Sequence, residues 1–150
     1  SKFPVMRDLV VDRRRMFESL KKIKAWVHVD GYHDLGSGPR ITPREQEESY
    51  PLSRCMTCGC CVEACPQFND HSPFIGPAAI SQAILFNAHP TAKVDRDDRL
   101  EVLSGRGGIV DCGNSQNCVK VCPKDIPLTD SIARAGRDTT SFKLRKWFGR

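Results

Sequence analysis

Cys55-Met56-Thr57-Cys58-Gly59-Cys60-Cys61-Val62-Glu63-Ala64-Cys65-Pro66 reads C-x2-C-x2-C-x3-C-P, and residues 112–123, CGNSQNCVKVCP, repeat it with one departure. Where the second run should have its second cysteine stands Ser115. Runs of this spacing bind iron–sulfur clusters: the first three cysteines hold one cluster and the fourth, next to the proline, reaches across to the other. Counting ligands on that rule gives Cys55, Cys58, Cys61 and Cys122 as four thiolates for a 4Fe-4S cube. Cys65, Cys112 and Cys118 remain, three thiolates for a second site. A cube corner without a thiolate binds its iron weakly, so a 3Fe-4S cluster is expected there. Cys60 has no place in either set.

If Gly59 to Cys65 forms a short helix, Cys61 and Cys65 lie about 6 Å apart along its axis while serving different clusters. The clusters are then close neighbours. The proline after each fourth cysteine has no amide hydrogen and turns the chain away once that ligand has reached across. Val62, Ala64, Val119, Val121, Ile126 and Leu128 suit an apolar sheath around the clusters, and equally an ordinary core. Neighbouring metal centres whose potentials are set separately by hydrogen bonds, burial and cluster type make a path for single electrons, which points to electron transfer rather than bond-making.

Other readings of the cysteines stay open. A disulfide framework suits short secreted chains, but gives the two C-P endings no role. C-x2-C pairs also build structural zinc sites, though zinc has no need of third and fourth cysteines at these intervals. Ser115 as a weak oxygen ligand to a fourth iron is the third alternative.

With 150 residues the chain fits one domain with a modest core that clusters would cross-link. The expected layout is one mostly helical domain over 1–150. Lead-in helices and a loop occupy 1–54, cluster-binding residues 55–128, and a C-terminal helix with a basic tail 129–150. The net charge of +5 is spread through both ends, so no nucleic-acid partner is expected. No apolar run approaches the eighteen or so residues that span a bilayer. Ser1 stands where an initiator methionine would be and charged sequence follows, which points to an excised or processed piece.

Apolar residues from Met6, Leu9 and Val10 through Met16, Phe17, Leu20, Ile23 and Val27 predict one long amphipathic helix, with a solvated basic face of Arg13, Arg14, Lys21 and Lys22. Asp30-Gly31 opens a loop through Gly36, Gly38 and Pro39. Thr42-Pro43-Arg44-Glu45 has the form of a capping box. Pro77 opens a helix with Ile80, Ala83, Ile84 and Phe86. Asp95 caps another that ends at Gly105, and Pro127 introduces the last. The tail of Phe142, Leu144, Trp147 and Phe148 among basic residues either folds back on its own domain, the favoured reading, or rests on a membrane surface. His71 and His89, in loops, read as solvated or hydrogen-bonded residues more readily than as proton carriers.

The segments RCMTCGCCVEACP (54–66), FIGPAAISQAILFNAHPT (74–91) and GGIVDCGNSQNCVKVCPKDIPLTDSIA (107–133) closely resemble the C-terminal domain of the iron–sulfur subunit of succinate dehydrogenase and fumarate reductase. KAWVHVDGYHDLGSGPR (24–40) looks most like the Gram-positive, menaquinone-linked branch. The resemblance implies an all-α fold of the alpha-helical ferredoxin type over 1–150 and the two ligand sets above, with a non-cysteine residue at Ser115. It also implies a 2Fe-2S cluster in an N-terminal domain, of which no C-x4-C-x2-C pattern is seen before Met6. Implied partners are a flavoprotein subunit carrying FAD, a membrane-anchor cytochrome b-type subunit, and menaquinone or ubiquinone as acceptor. The place would be peripheral, on the cytoplasmic face of the cell membrane. In ubiquinone-linked relatives the quinone lies by the proline here numbered Pro66, with a tryptophan and a histidine where this chain has Asp70 and Gly113. That departure puts the usual quinone site in doubt. Fumarate reduction, a two-cubane module of another flavin- or thiol-linked oxidoreductase, and a structural metal module are the alternative functions.

Overall fold

A computed structural model describes residues 2–27 and 38–149. The described residues are mainly helical with few strands. After a two-stranded antiparallel hairpin, β1 (Val5–Arg7) and β2 (Val10–Val11), come α1 (Arg14–Lys22), α2 (Pro43–Ser53), α3 (Cys60–Glu63), α4 (Pro77–Ala88), α5 (Arg96–Ser104), α6 (Asn117–Lys120) and α7 (Leu128–Trp147). Single 3-10 turns at Ala92–Asp95 and Ile109–Asp111 precede α5 and the second cysteine run.

The hairpin departs from the helix expected to run from Met6. Asp8, at φ +53°, turns the chain there, and Leu9 is 94% exposed, so the apolar spacing of this stretch reflects no buried face. The helix begins only at Arg14, where Asp12 accepts the Arg14 backbone N–H at 2.8 Å. The loop residues Asp30, Gly31 and Gly36 lie outside the described residues.

α4 sits at the centre. Its buried positions include Ala78, Ala79, Ile80, Ala83 and Ile84, covering most of its circumference, and α2, α5 and α7 pack around it. Small residues let these neighbours approach closely, which is how a short, alanine-rich helix serves as a core. α2 begins as its sequence dictates: Thr42 Oγ1 accepts from the Glu45 N–H at 3.2 Å, and the Glu45 carboxylate accepts from the Thr42 N–H at 2.9 Å.

Arg99, on α5, is the largest fully buried side chain. It donates to the carbonyls of Ala92 (2.7 Å), Ile23 (3.0 Å), Lys24 (3.0 and 3.2 Å) and Trp26 (3.4 Å), and to Asn87 Oδ1 at 3.3 Å. Burial pulls its pKa below the ordinary guanidinium value, against the opposing effect of Asp95 and Asp98. Three of its carbonyl partners, Ile23, Lys24 and Trp26, belong to the segment that leaves α1, so this one side chain ties the lead-in to the helical core. Asp95 occupies the N-cap position of α5 without capping it. Instead it accepts from Lys24 Nζ at 2.8 Å, which corrects the expectation of a side-chain cap.

α7 continues unbroken into the basic, aromatic tail. Phe142 is buried, and Lys146 reaches Glu101 of α5 at 2.8 Å. Trp147 and Phe148 stack on each other at 5.7 Å and stay exposed. The tail thus folds back as far as Phe142 and then turns its aromatic end outward.

Candidate metal centres

The two cysteine loops repeat as structures. α3 and α6 each follow a residue in the left-handed region, Gly59 at φ +87° and Gln116 at φ +58°. Two residues earlier in each loop stands another, Thr57 at +52° and Asn114 at +49°. Each helix contributes one cavity-lining cysteine, Cys61 or Cys118, and ends before Cys65 or Cys122. The helix expected to reach Cys65 is therefore shorter, stopping at Glu63 as the chain tightens toward the proline.

Gly59 is held to this conformation from outside as well. A Cβ there would stand 2.9 Å from the ring of the buried Phe3, in a backbone region that side chains resist. Gly59→Ala is expected to destabilise the protein by about 2 kcal/mol. The check is the denaturant midpoint of the variant, alongside Gly136→Ala, which has open space around it, as the mild control.

α3 and α6 pack together, and Asn117 Nδ2 donates to the Ala64 carbonyl at 3.2 Å, joining the second run to the first. The Lys2 ammonium donates to the Cys65 carbonyl and its backbone N–H to Glu63 at 2.8 Å, so the start of the described chain braces the same turn. From α1, Arg15 donates to the carbonyls of Asn69 (2.8 Å) and Ser72 (2.6 Å) and lies 3.9 Å over the Phe68 ring, fixing the loop after Pro66.

The thiols gather around two cavities. One is lined by Cys55, Cys58, Cys61 and Cys122, with Ala78, Ile126 and Leu128 as apolar wall. The other is lined by Cys65, Cys112 and Cys118, with Gln67, Gly113 and Ser115 beside them. The fourth cysteine of each run lines the other run's cavity. Of the expected sheath, Val62, Ile126 and Leu128 are buried, whereas Val121 is exposed.

Burial raises the thiols of Cys55 and Cys118. It pushes Cys61 up to about 12, helped by the surrounding cysteines. Such thiols do not ionise unaided at neutral pH. A cationic centre reverses that balance by coordinating them as thiolates, so the donor set fits an iron–sulfur cluster. Among the described residues no three or more His, Cys, Asp or Glu converge tightly enough for a single metal ion.

Cys60 is exposed and outside both cavity walls; its thiol is raised chiefly by a hydrogen bond with Cys58. Cys60→Ser is expected to leave iron content and both cluster spectra unchanged, and loss of either signal in that variant would identify Cys60 as a ligand.

The quinone candidates are placed differently from one another. Gly113 lines the second cavity; Pro66 is exposed outside it. Asp70 has a 98% exposed side chain, 3.9 Å from Arg15. His89 Nδ1 accepts from the Thr91 N–H at 3.3 Å, a hydrogen-bonded loop histidine. Sequence reasoning did not single out Gln67, although its position just after Cys65-Pro66 was the available signal. A groove of about 700 Å³ between α2 and α7 is a charged trough in which Glu48 pairs with Arg44 and Arg134, and it is lined by no thiol.

A family model for the 4Fe-4S dicluster domain matches residues 51–126. The succinate dehydrogenase iron–sulfur subunit of Bacillus subtilis is 58% identical over 98% of this chain and 58% of its own length. The fumarate reductase iron–sulfur subunit of Wolinella succinogenes is 30% identical over 93% of this chain and 59% of its own. The corresponding Escherichia coli O157:H7 subunit is 35% identical over 87% and 53%. The chain thus spans little more than half the length of these relatives. It belongs to the 4Fe-4S dicluster family, and the Bacillus match supports the Gram-positive resemblance to the iron–sulfur subunits of succinate dehydrogenase and fumarate reductase.

Proposed function

We propose that this chain is the electron-transfer module of a succinate:quinone oxidoreductase, holding a 4Fe-4S cluster on Cys55, Cys58, Cys61 and Cys122 and a 3Fe-4S cluster on Cys65, Cys112 and Cys118. The observation that carries this reading is the crossed lining of the two cavities, four thiols in one and three beside Ser115 in the other. When bound, the clusters supply one-electron carriers of separately set potential. The chain's own part is to fix their separation through the packed α3 and α6, and to exclude water from the first with Ala78, Ile126 and Leu128.

In this reading the module is one all-α ferredoxin-type domain accompanied by a 2Fe-2S domain. A flavoprotein subunit with FAD delivers the electrons and menaquinone at a membrane-anchor subunit receives them, on the cytoplasmic face of the membrane. No helix among the described residues is long and apolar enough to cross a membrane itself, which suits attachment through an anchor. The fumarate reductase names among the relatives favour a second reading, the same wiring run toward fumarate. Comparing succinate oxidation with fumarate reduction in the purified complex separates the two directions.

Iron and acid-labile sulfide analysis with electron paramagnetic resonance, on anaerobically purified protein before and after dithionite, tests the cluster assignment. The expected result is about seven irons per chain, a three-iron signal when oxidised and a four-iron signal on reduction. About eight irons without the oxidised three-iron signal would mean two cubes. Zinc without iron would leave a structural metal module.

A further inference from the structure

We propose that Gln67 is a tuning residue of the second centre, its side-chain amide donating a hydrogen bond to a sulfur of the cluster on Cys65, Cys112 and Cys118 and reaching it through the opening left by Gly113. This rests on the cluster assignment above. The three nearest atoms to an ideal Cβ at position 113 all belong to Gln67, with Nε2 at 2.5 Å, Cδ at 3.2 Å and Cγ at 3.4 Å. Gln67 occupies the space where a side chain at 113 would be, on the wall of the cavity that holds the three thiols.

The amide is free to act there. Among the described residues it has no protein hydrogen-bond partner, so its N–H groups are available to an acceptor in the cavity. Its backbone is held on both sides. Pro66 precedes it, its carbonyl taking the Asn69 Nδ2 bond at 3.0 Å, and the buried Phe68 under Arg15 follows it.

The structural repeat supplies an independent parallel. Lys124 stands after Cys122-Pro123 as Gln67 stands after Cys65-Pro66, and Lys124 lines the first cavity. The residue after each Cys-Pro pair therefore accompanies its cysteine to the neighbouring run's cavity. One carries a cation and the other a neutral donor.

Reduction by one electron adds a negative charge to the second centre without breaking a bond, and an N–H donor stabilises that charge more than it stabilises the oxidised form. Removing the donor therefore lowers the potential. In Gln67→Leu the ratio of reduced to oxidised second centre at a fixed poise is expected to fall about tenfold, the effect of one hydrogen bond to a charged group. Gln67→Lys, which keeps a donor and adds a positive charge, should shift that ratio the other way. Gly113→Ala, which pushes the amide aside, should act in the same direction as Gln67→Leu.

The experiment is a dithionite titration with redox mediators, followed by electron paramagnetic resonance, on anaerobically purified protein carrying its clusters. The four-iron signal of the same sample serves as internal reference. Opposite shifts in the leucine and lysine variants, confined to the three-iron signal, establish the role. An unchanged midpoint of the three-iron signal in both variants overturns it. Absence of a three-iron signal from the unmodified protein would instead remove the underlying cluster assignment, so the two failures are distinguishable.

Discussion

Replacing Arg99 with methionine is expected to lower stability by about 3–5 kcal/mol, a large share of what holds a domain of this size together. The side chain is fully buried, and its hydrogen bonds run to four backbone carbonyls and one amide oxygen. Methionine fills much of the volume but leaves those carbonyls without a donor, and each buried acceptor so orphaned costs about 1–3 kcal/mol unless water enters. The effect should be local as well as global: residues 23–26 lose their tie to α4 and α5, so amide exchange there should rise first. Lys24→Met, which removes the more exposed ion pairs with Asp95 and Asp98, is expected to cost far less. Chemical denaturation of both variants checks the contrast, and equal small losses would show that water replaces the guanidinium.

Ser115→Cys should add one iron and abolish the oxidised three-iron signal. The residue already stands on the wall of the second cavity with Cys65, Cys112 and Cys118, at the place where the first run has Cys58. A thiolate at that corner supplies the missing fourth ligand and lowers the potential of the centre, since cluster type and charge set it. Iron analysis should move from about seven to about eight per chain, and the change is visible in the resonance spectrum without an activity assay. An unchanged three-iron signal in the variant would mean that the three-cysteine assignment is wrong.

What the sequence made legible follows the range of the interactions involved. Cysteine spacing is strict because a cluster dictates it, so the grouping of thiols could be counted before any fold was known. The cap at Thr42 and the helix start at Pro77 were likewise readable, because their causes lie within one turn of chain. The hairpin was not. Met6, Leu9 and Val10 have helical spacing, yet Leu9 points to solvent, and periodicity informs only where one face is buried. Arg99 reads as one more charge on a polar helix; three of the four carbonyls it meets come from residues 23–26, far away in sequence. Gln67 escaped notice for a similar reason. Its importance depends on the empty place at Gly113, and that neighbourhood exists only once the two runs have met.

The crossed lining of the cavities also bears on how the protein comes into being on the ribosome. With the ligand sets proposed above, when Cys55, Cys58 and Cys61 emerge the residue that would complete their set, Cys122, has not yet been made, and Cys65 likewise waits for Cys112 and Cys118. Neither centre can be completed on a nascent fragment, and closing the long intervening loop is a cost that both share. On that assignment cofactor delivery is a late event in the life of this chain. Until then its cysteines are raw thiols, exposed to oxygen and to one another, and a cell that makes it must shield them or supply iron and sulfide promptly.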